Sequence, residues 1–541
     1  AEDYGTAIRD HFDIVFFDQR GVGASQGLAC ETAAKTYYQH DLDARTPQGE
    51  KRMMENASTF VENCVKEMGK TDLLPYMGTV QAVEDLEVFR KMMNEEKFWL
   101  YGLSYGTQFA QTYASVHPDR LAALVLDGTV DLTNSGIDYF KQQAKAFNDV
   151  LVMTLEACNA DPACAKDSGG DAIKAYDSLA ARLSKSPVKI NFPLPSGKTV
   201  LRDFTLVDLE SVAVNYLYSE GDRMILQRAL AAAAQNDFVP LERLSYITYS
   251  LNPQTLEVIS DSSFSDAAFY AVECNDYAYF SGTPDEQAKA YLLAGDAVDA
   301  SQQRLTTIFY GDFPCPYWTP LVRPRLSRPS YLRAEGIPTL VLDATADPAT
   351  PYQNGMNVFQ HLADGYLVTV KGGPHVVFGW GNDCPDTIVT DFLVKDKLPK
   401  DRQTVCEGTI ADTYVQLAPK NAATFANPLT AMQSVEQEIS YLPEYLVWDG
   451  EKEVNVGCPY GGKINFAQDN AETRLTLKNC SFSSGFSITG TGQANIEEDT
   501  FSLEVRVVGS PTGKLIYTRD SENNARVHGN YNNRNVDIFS K

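Results

Sequence analysis

The chain has 541 residues, a formal net charge of −25 and ten cysteines. The length exceeds one ordinary domain, and the charge excludes nucleic acid as a partner, because a phosphate backbone would be repelled. No run approaches the roughly 18 apolar residues of a membrane span, so no transmembrane segment is expected.

Residues Asp13-Ile-Val-Phe-Phe-Asp18 are expected to form a strand buried on both faces, followed by a glycine-rich turn from Gln19 to Ser25. Apolar spacing at Val83, Leu86, Val88, Phe89 and Met92 predicts a helix over 79–93. Phe98-Trp-Leu100 then runs as a strand into Tyr101-Gly-Leu-Ser-Tyr-Gly-Thr107. This is G-x-S-x-G between a strand and an amphipathic helix, Gln108 to Val116. The turn is expected to be so tight that a side chain at Gly102 or Gly106 would collide with backbone. Ser104 would then be strained and exposed at a helix N-terminus, the placement of a nucleophile. A further strand, Leu121 to Leu126, ends in Asp127-Gly128. Alternation of this kind implies a parallel sheet covered by helices.

From 132 to 334 long helical stretches dominate, such as Ile137–Cys158 and Gly170–Lys185, with frequent Tyr and Phe. They read as a helical cap over the sheet's C-terminal edge. Alternation resumes with a strand at Pro338–Asp343, a helix at Tyr352–Leu362, a strand at Tyr366–Val370 and a helix at Asp386–Val394. Beyond about 410 the pattern alternates as strands do, as in Phe501-Ser-Leu-Glu-Val-Arg-Val507. The expected domains are therefore a first core segment 1–131, a cap 132–334, a second core segment 335–410 and a β-rich domain 411–541. Paired in sequence order, the cysteines give bridges 30–64, 158–164, 274–315, 384–406 and 458–480. An even count without C-x-x-C points to disulfides and an oxidising compartment: secreted, periplasmic or cell-surface.

A serine nucleophile needs a base, and the base needs an orienting carboxylate. Of six histidines, His375 stands out, in a Gly372-Gly-Pro-His375 loop just after a strand. Asp347, in Asp347-Pro-Ala-Thr-Pro351, follows another strand and is the preferred acid, with Asp127 as competitor and Asp343 as a structural residue. The order Ser104, Asp347, His375 is that of α/β-hydrolases. No metal or other cofactor is required.

Several motifs resemble the secreted tripeptidyl aminopeptidases, which share a hydrolase group with proline iminopeptidase. They are Asp18-Gln-Arg-Gly21, Gly102-Leu-Ser-Tyr-Gly-Thr107, Leu126-Asp-Gly128, Asp347-Pro-Ala-Thr-Pro351 and Gly373-Pro-His375. So are Ala271-Val-Glu-Cys274 with Asp276, Cys315 with Trp318, and the Cys384–Cys406 region. The resemblance spans roughly 10–410. It implies a serine exopeptidase that takes peptides as substrates and frees short peptides or single residues from free N-termini. It implies that Tyr105 N–H is one oxyanion donor, with its side chain either stacking on substrate or packing. An exopeptidase needs a negative clamp for the substrate ammonium, and Glu273 and Asp276 are the candidates.

The resemblance also implies a Gly-Gly-Pro-Gly-type loop before the strand at 13–18, giving the second oxyanion donor; the chain has none. Three readings stay open: a separate N-terminal polypeptide of the same precursor that remains docked, a segment outside this sequence, or an inactive relative. Competing functions are an esterase or lipase on the same scaffold, and an extracellular structural protein that kept the fold. Epoxide hydrolase or dehalogenase chemistry is disfavoured, since those elbows carry aspartate where this one has Ser104.

Overall fold

The computed structural model describes residues 4–25, 27–40, 43–69, 71–259, 264–277, 279–301, 304–321, 328–332, 334–470, 472–509 and 512–540. In chain order the strands are β1 (Phe98–Leu103), β2 (Leu121–Asp127), β3 (Val188–Pro193), β4 (Thr199–Phe204), β5 (Thr339–Ala344), β6 (Gly365–Lys371) and β7 (Gln403–Glu407). There follow β8 (Val454–Gly457), β9 (Lys463–Asp469), β10 (Glu472–Ser483), β11 (Phe486–Asn495), β12 (Thr500–Val508), β13 (Gly513–Arg519), β14 (Ala525–Tyr531) and β15 (Arg534–Ser540).

The chain divides into two compact units. One comprises Ala1–Ala157, Ala213–Met224 and Val258–Asp412, the other Cys158–Val212, Ile225–Glu257 and Thr413–Lys541. The expected cap, 132–334, is thus shared between the units rather than standing alone. It also contains an antiparallel hairpin, β3–β4, that its helical periodicity did not announce.

In the first unit five strands form a parallel sheet in the order β1-β2-β5-β6-β7. The apolar runs are continuous because both faces are covered. Along β2, Leu124 and Leu126 join one core with Val341, Tyr113 and Phe359. Ala123 and Val125 point the other way, into a core with Leu340, Leu342, Val368 and Phe392. This two-residue alternation fixes the register, since a slip of one residue would exchange the two cores. The covering helices include Thr79–Met92, Tyr105–Val116, Tyr352–His361 and Asp383–Lys395, close to their expected spans.

The stretch 13–18 departs from expectation. It forms no strand, and Val15 and Phe16 are 52% and 64% exposed. Ile14 and Phe17 are half-buried, and Phe17 packs against Phe89 and Phe109. An extended segment with no neighbouring strand has nothing to complete a ladder with. Among the described residues, β1 likewise has a partner on one side only.

In the second unit β8–β15 form an eight-stranded antiparallel sheet with neighbours in sequence paired throughout. Its buried face, including Leu475, Ile488, Leu503, Leu515 and Val527, packs with Leu429, Met432 and Val435 of the helix Pro428–Ser440. All five expected disulfides are formed, which fits an oxidising compartment. Among the described residues no helix is long and apolar enough to cross a membrane.

Candidate active site

Ser104 lies between the end of β1 and the helix Tyr105–Val116, with φ 52° and ψ −122°. A serine holds such a conformation only where its surroundings over-determine it. Gly102 is one determinant: a Cβ there would stand 2.4 Å from the Gly106 carbonyl oxygen. At Gly106 the expected clash is absent, since a Cβ would meet nothing within 4 Å. That residue is already in the first helical turn, and its carbonyl, not its missing side chain, enforces the glycine at 102. The Ser104 N–H donates to Asp127 O at 2.9 Å, and its carbonyl accepts from Thr107 N at 2.8 Å. The Tyr105 N–H is the first of the helix and has no intrahelical acceptor.

Asp347 follows β5 and His375 follows β6, so both stand where ligands meet a parallel sheet, beyond its carboxyl ends. Asp347 Oδ1 accepts from Ala349 N at 2.9 Å and Thr350 N at 2.8 Å. Its Oδ2 accepts from Thr350 Oγ1 at 2.7 Å and contacts His375 Nδ1 at 2.8 Å. The His375 side chain is 10% exposed and that of Asp347 is fully buried. Burial disfavours the imidazolium, but the charge and hydrogen bond of Asp347, with Asp127 behind, hold the His375 pKa above its ordinary value. Gly128 (φ 67°) leaves room for the ring: a Cβ there would be 3.2 Å from His375 Cε1. Ser104 thus borders residue 127 and His375 borders residue 128. The Ser104 hydroxyl has no hydrogen-bond partner among the described residues; such contacts often tighten only with substrate bound.

The competing carboxylates are otherwise engaged. Asp127 accepts from Val377 N, Phe378 N and the Tyr101 hydroxyl. Burial raises its pKa to about 6, against those three donors. Asp343 accepts from Thr129 N at 3.0 Å. It fills the space opposite Gly355, where a Cβ would collide with its carboxylate.

Sequence reasoning missed Arg223. It is fully buried, and its guanidinium donates to the carbonyls of Leu217 (2.9 Å), Gly373 (2.8 Å), Ile410 (2.9 Å) and Ala346 (2.6 Å). It therefore ties the loop before Asp347 to the loop before His375. Burial lowers its pKa to about 10, countered by Glu220, Asp347 and Asp222. Its local sequence, Gly221-Asp-Arg-Met, carries no sign of this.

Beside these loops lies an acidic, tyrosine-lined region. Tyr218 sets its ring edge-on to His375 at 5.4 Å and gives its carbonyl to His375 N at 2.7 Å. Gln143 donates both to the Tyr139 hydroxyl and to Ala349 O, at 2.9 Å each. Tyr139 stacks on Tyr277, with centroids 5.6 Å apart. Glu273 and Asp312 sit here, and one oxygen of each, Glu273 Oε2 and Asp312 Oδ1, is buried without a hydrogen-bond partner among the described residues. The other Asp312 oxygen accepts from the Tyr279 hydroxyl. Burial pushes Asp312 up to about 7. Burial, then the charges of Asp312 and Asp276, raise Glu273 well above the carboxylate range, with Arg328 opposing. Asp312 was also missed, although it lies three residues before Cys315, whose bridge to Cys274 places it beside Glu273. Asp276 differs from Glu273. Its carboxylate is saturated by Thr79 and Gln108.

A cavity in the second unit, lined by Arg228, Asp237, Arg243, Lys420, Glu438 and Tyr460 among others, holds none of these groups. Arg228 there pairs with Glu438, Arg243 pairs with Glu444, and Lys420 donates to Gln235 O.

This fold and site define a hydrolase of the α/β class. Residues 5–185 match the alpha/beta hydrolase fold family, and residues 306–406 match the family described as TAP-like protein. The chain is 29% identical over 406 residues to the serine protease Hip1 of Mycobacterium tuberculosis, covering 72% of this chain and 74% of that one. It is 26% identical over 407 residues to carboxylesterase B of the same organism, covering 73% of each. To the tripeptidyl aminopeptidase of Streptomyces lividans it is 24% identical over 399 residues, covering 71% of this chain and 68% of that one.

Proposed function

We propose that this protein is a secreted serine exopeptidase that releases tripeptides, or shorter fragments, from free N-termini. The observation that carries the reading is the Asp347–His375 pair beside a serine held at positive φ. Ser104 Oγ attacks the scissile carbonyl carbon while its proton passes to His375 Nε2. Asp347 keeps Nδ1 protonated and stabilises the imidazolium. The oxyanion forms at Tyr105 N–H. Collapse breaks the C–N bond, and His375 gives the proton to the leaving amine. Water, deprotonated by His375, then hydrolyses the acyl-enzyme and restores Ser104. Glu273 and Asp312, each with an oxygen unpartnered among the described residues and set among tyrosine rings, suit the substrate ammonium, so the free-amine end is recognised at a distance from the bond cut. The second oxyanion donor is assigned to a further polypeptide segment of the same precursor, seated along the unpaired side of β1.

The test is a pair of measurements. Fluorophosphonate should label Ser104, and Ser104→Ala should abolish both labelling and cleavage of a tripeptidyl anilide. N-acetylation of that substrate should nearly abolish cleavage. Equal rates on free and acetylated substrates would favour the second reading, an esterase, for which the similarity to carboxylesterase B speaks.

A further inference from the structure

We propose that Asp276 is a positioning residue for acylation, acting through Thr79 and Gln108 on the first turn of the helix that follows Ser104. The proposal rests on the serine-hydrolase reading above. Asp276 closes the helix Asp266–Asp276, and it reaches two other helices. The first, Thr79–Met92, has Gly78 at its N-cap and no side-chain cap of its own. Asp276 supplies that cap from 197 residues away, its Oδ1 accepting from Thr79 N at 2.9 Å. Gly78 makes room for it, since a Cβ there would lie 3.0 Å from Oδ1. The second helix is Tyr105–Val116, where Gln108 Nε2 donates to Asp276 Oδ2 at 2.9 Å.

The same Oδ2 also accepts the Thr79 hydroxyl proton. A carboxylate only accepts, so Thr79 donates to it and is left to accept from the Tyr105 hydroxyl, 2.6 Å away. This contact is much shorter than the 3.3 Å from the Tyr105 hydroxyl to its other acceptor, Gln19 Oε1, so the chain runs Tyr105 O–H to Thr79 O–H to Asp276. Thr79 and Gln108 are 0% and 1% exposed, so the bonds are shielded from water and strong for that reason. On the far side Gln108 Oε1 accepts from Tyr277 and Arg328. Tyr105 and Gln108, three apart, share one face of the turn. Both are thus gripped at their tips. Between them runs the backbone that begins with the strained Ser104 and the Tyr105 N–H. An oxyanion donor helps only if it is in place before charge develops, so this grip belongs to kcat and not to substrate affinity.

The experiment compares Asp276→Asn, Thr79→Val, Thr79→Ser, Tyr105→Phe and the Thr79→Val/Tyr105→Phe double variant. Each is assayed for kcat and KM on an N-terminally free tripeptidyl anilide, and for fluorophosphonate labelling. Asp276→Asn, Thr79→Val and Tyr105→Phe should each lower kcat roughly 10- to 100-fold, as expected for a small misplacement of reacting groups. KM should stay within about twofold, the pattern of an interaction realised in the transition state. The double variant should lose no more than the worse single one, and Thr79→Ser should recover most of the loss. Tyr105→Phe removes one oxygen and keeps the ring, so it tests the idea even if Asp276→Asn folds poorly. Unchanged kcat in Tyr105→Phe, multiplying losses in the double variant, or a loss confined to KM would overturn the proposal. Wild-type protein that is not labelled at Ser104 would instead overturn the hydrolase reading beneath it.

Discussion

Asp127 and Asp347 both follow strands and both lie buried near His375, yet their surroundings divide their work. Asp127 accepts from two backbone N–H groups and a tyrosine and, among the described residues, makes no hydrogen bond to His375, whereas Asp347 Oδ2, besides accepting from Thr350 Oγ1, reaches His375 Nδ1. Asp347→Asn should therefore leave the fold intact and cut kcat on the order of 10⁴, by holding the wrong tautomer. Asp127→Asn should show mainly in thermal stability; the reverse outcome would move the acid to 127. The pH profile separates base from clamp. Neutral His375 is the base and its pKa is raised, so kcat should climb with pH through a midpoint above the ordinary histidine value. Asp312, raised to about 7, must lose its proton to attract an ammonium. KM for free-amine peptides should therefore fall as pH rises through about 7. It should rise again above about 8, where the substrate amine itself is neutralised. Asp312→Asn should erase the fall in KM and spare the rise in kcat. A KM flat with pH in the unaltered protein would remove the carboxylates from recognition.

Elements were legible where one local rule decided them. Gly102-Leu-Ser-Tyr-Gly106 announced a strand, a forced turn and a helix because backbone sterics act over five residues. The helix expected over 79–93 and the strands expected at 121–126 and 338–343 were legible from their apolar residues alone. Elements that depend on remote partners were not legible. Residues 13–18 have the composition of a buried strand but lie without a ladder, since composition does not say who the neighbour is. The hairpin Val188–Phe204 hides in a helical neighbourhood. Arg223 and Asp312 are ordinary surface residue types until the chain closes over them. The cysteines were the exception, since spacing in sequence order already paired them. One pair has an element-level role: Cys274–Cys315 joins the helix bearing Glu273 and Asp276 to the segment bearing Asp312. Replacing both cysteines by alanine should cost about 4 kcal/mol, from loop entropy over its 41-residue separation. It should raise KM for free-amine peptides more than it slows fluorophosphonate labelling at Ser104. Equal effects on both would make the bridge a general staple and no part of recognition.

At the scale of the whole molecule, the side of β1 without a partner among the described residues and the exposed Val15 and Phe16 are where the proposed precursor segment would dock, and docking would cover an edge of a parallel sheet that otherwise invites aggregation. Native and denaturing mass spectrometry should differ by a smaller polypeptide in stoichiometric amount. Hydroxyl-radical footprinting of the native protein should find Phe16 protected. A single species with Phe16 freely modified would end that idea and strengthen the inactive-relative reading. The division into units has its own consequence. The chain passes from one unit to the other after residues 157, 212, 224, 257 and 412. During synthesis, every segment of the first unit has been made once residue 412 emerges. Segments 158–212 and 225–257 of the second must wait, half-finished, for the chain beyond 413. The antiparallel sheet is thus the last piece to arrive and the one on which two earlier segments depend. A ribosome stalled just after residue 412 has cleared its exit tunnel should carry a protease-resistant first unit from which 158–212 and 225–257 are clipped away, and only translation onward would shelter them.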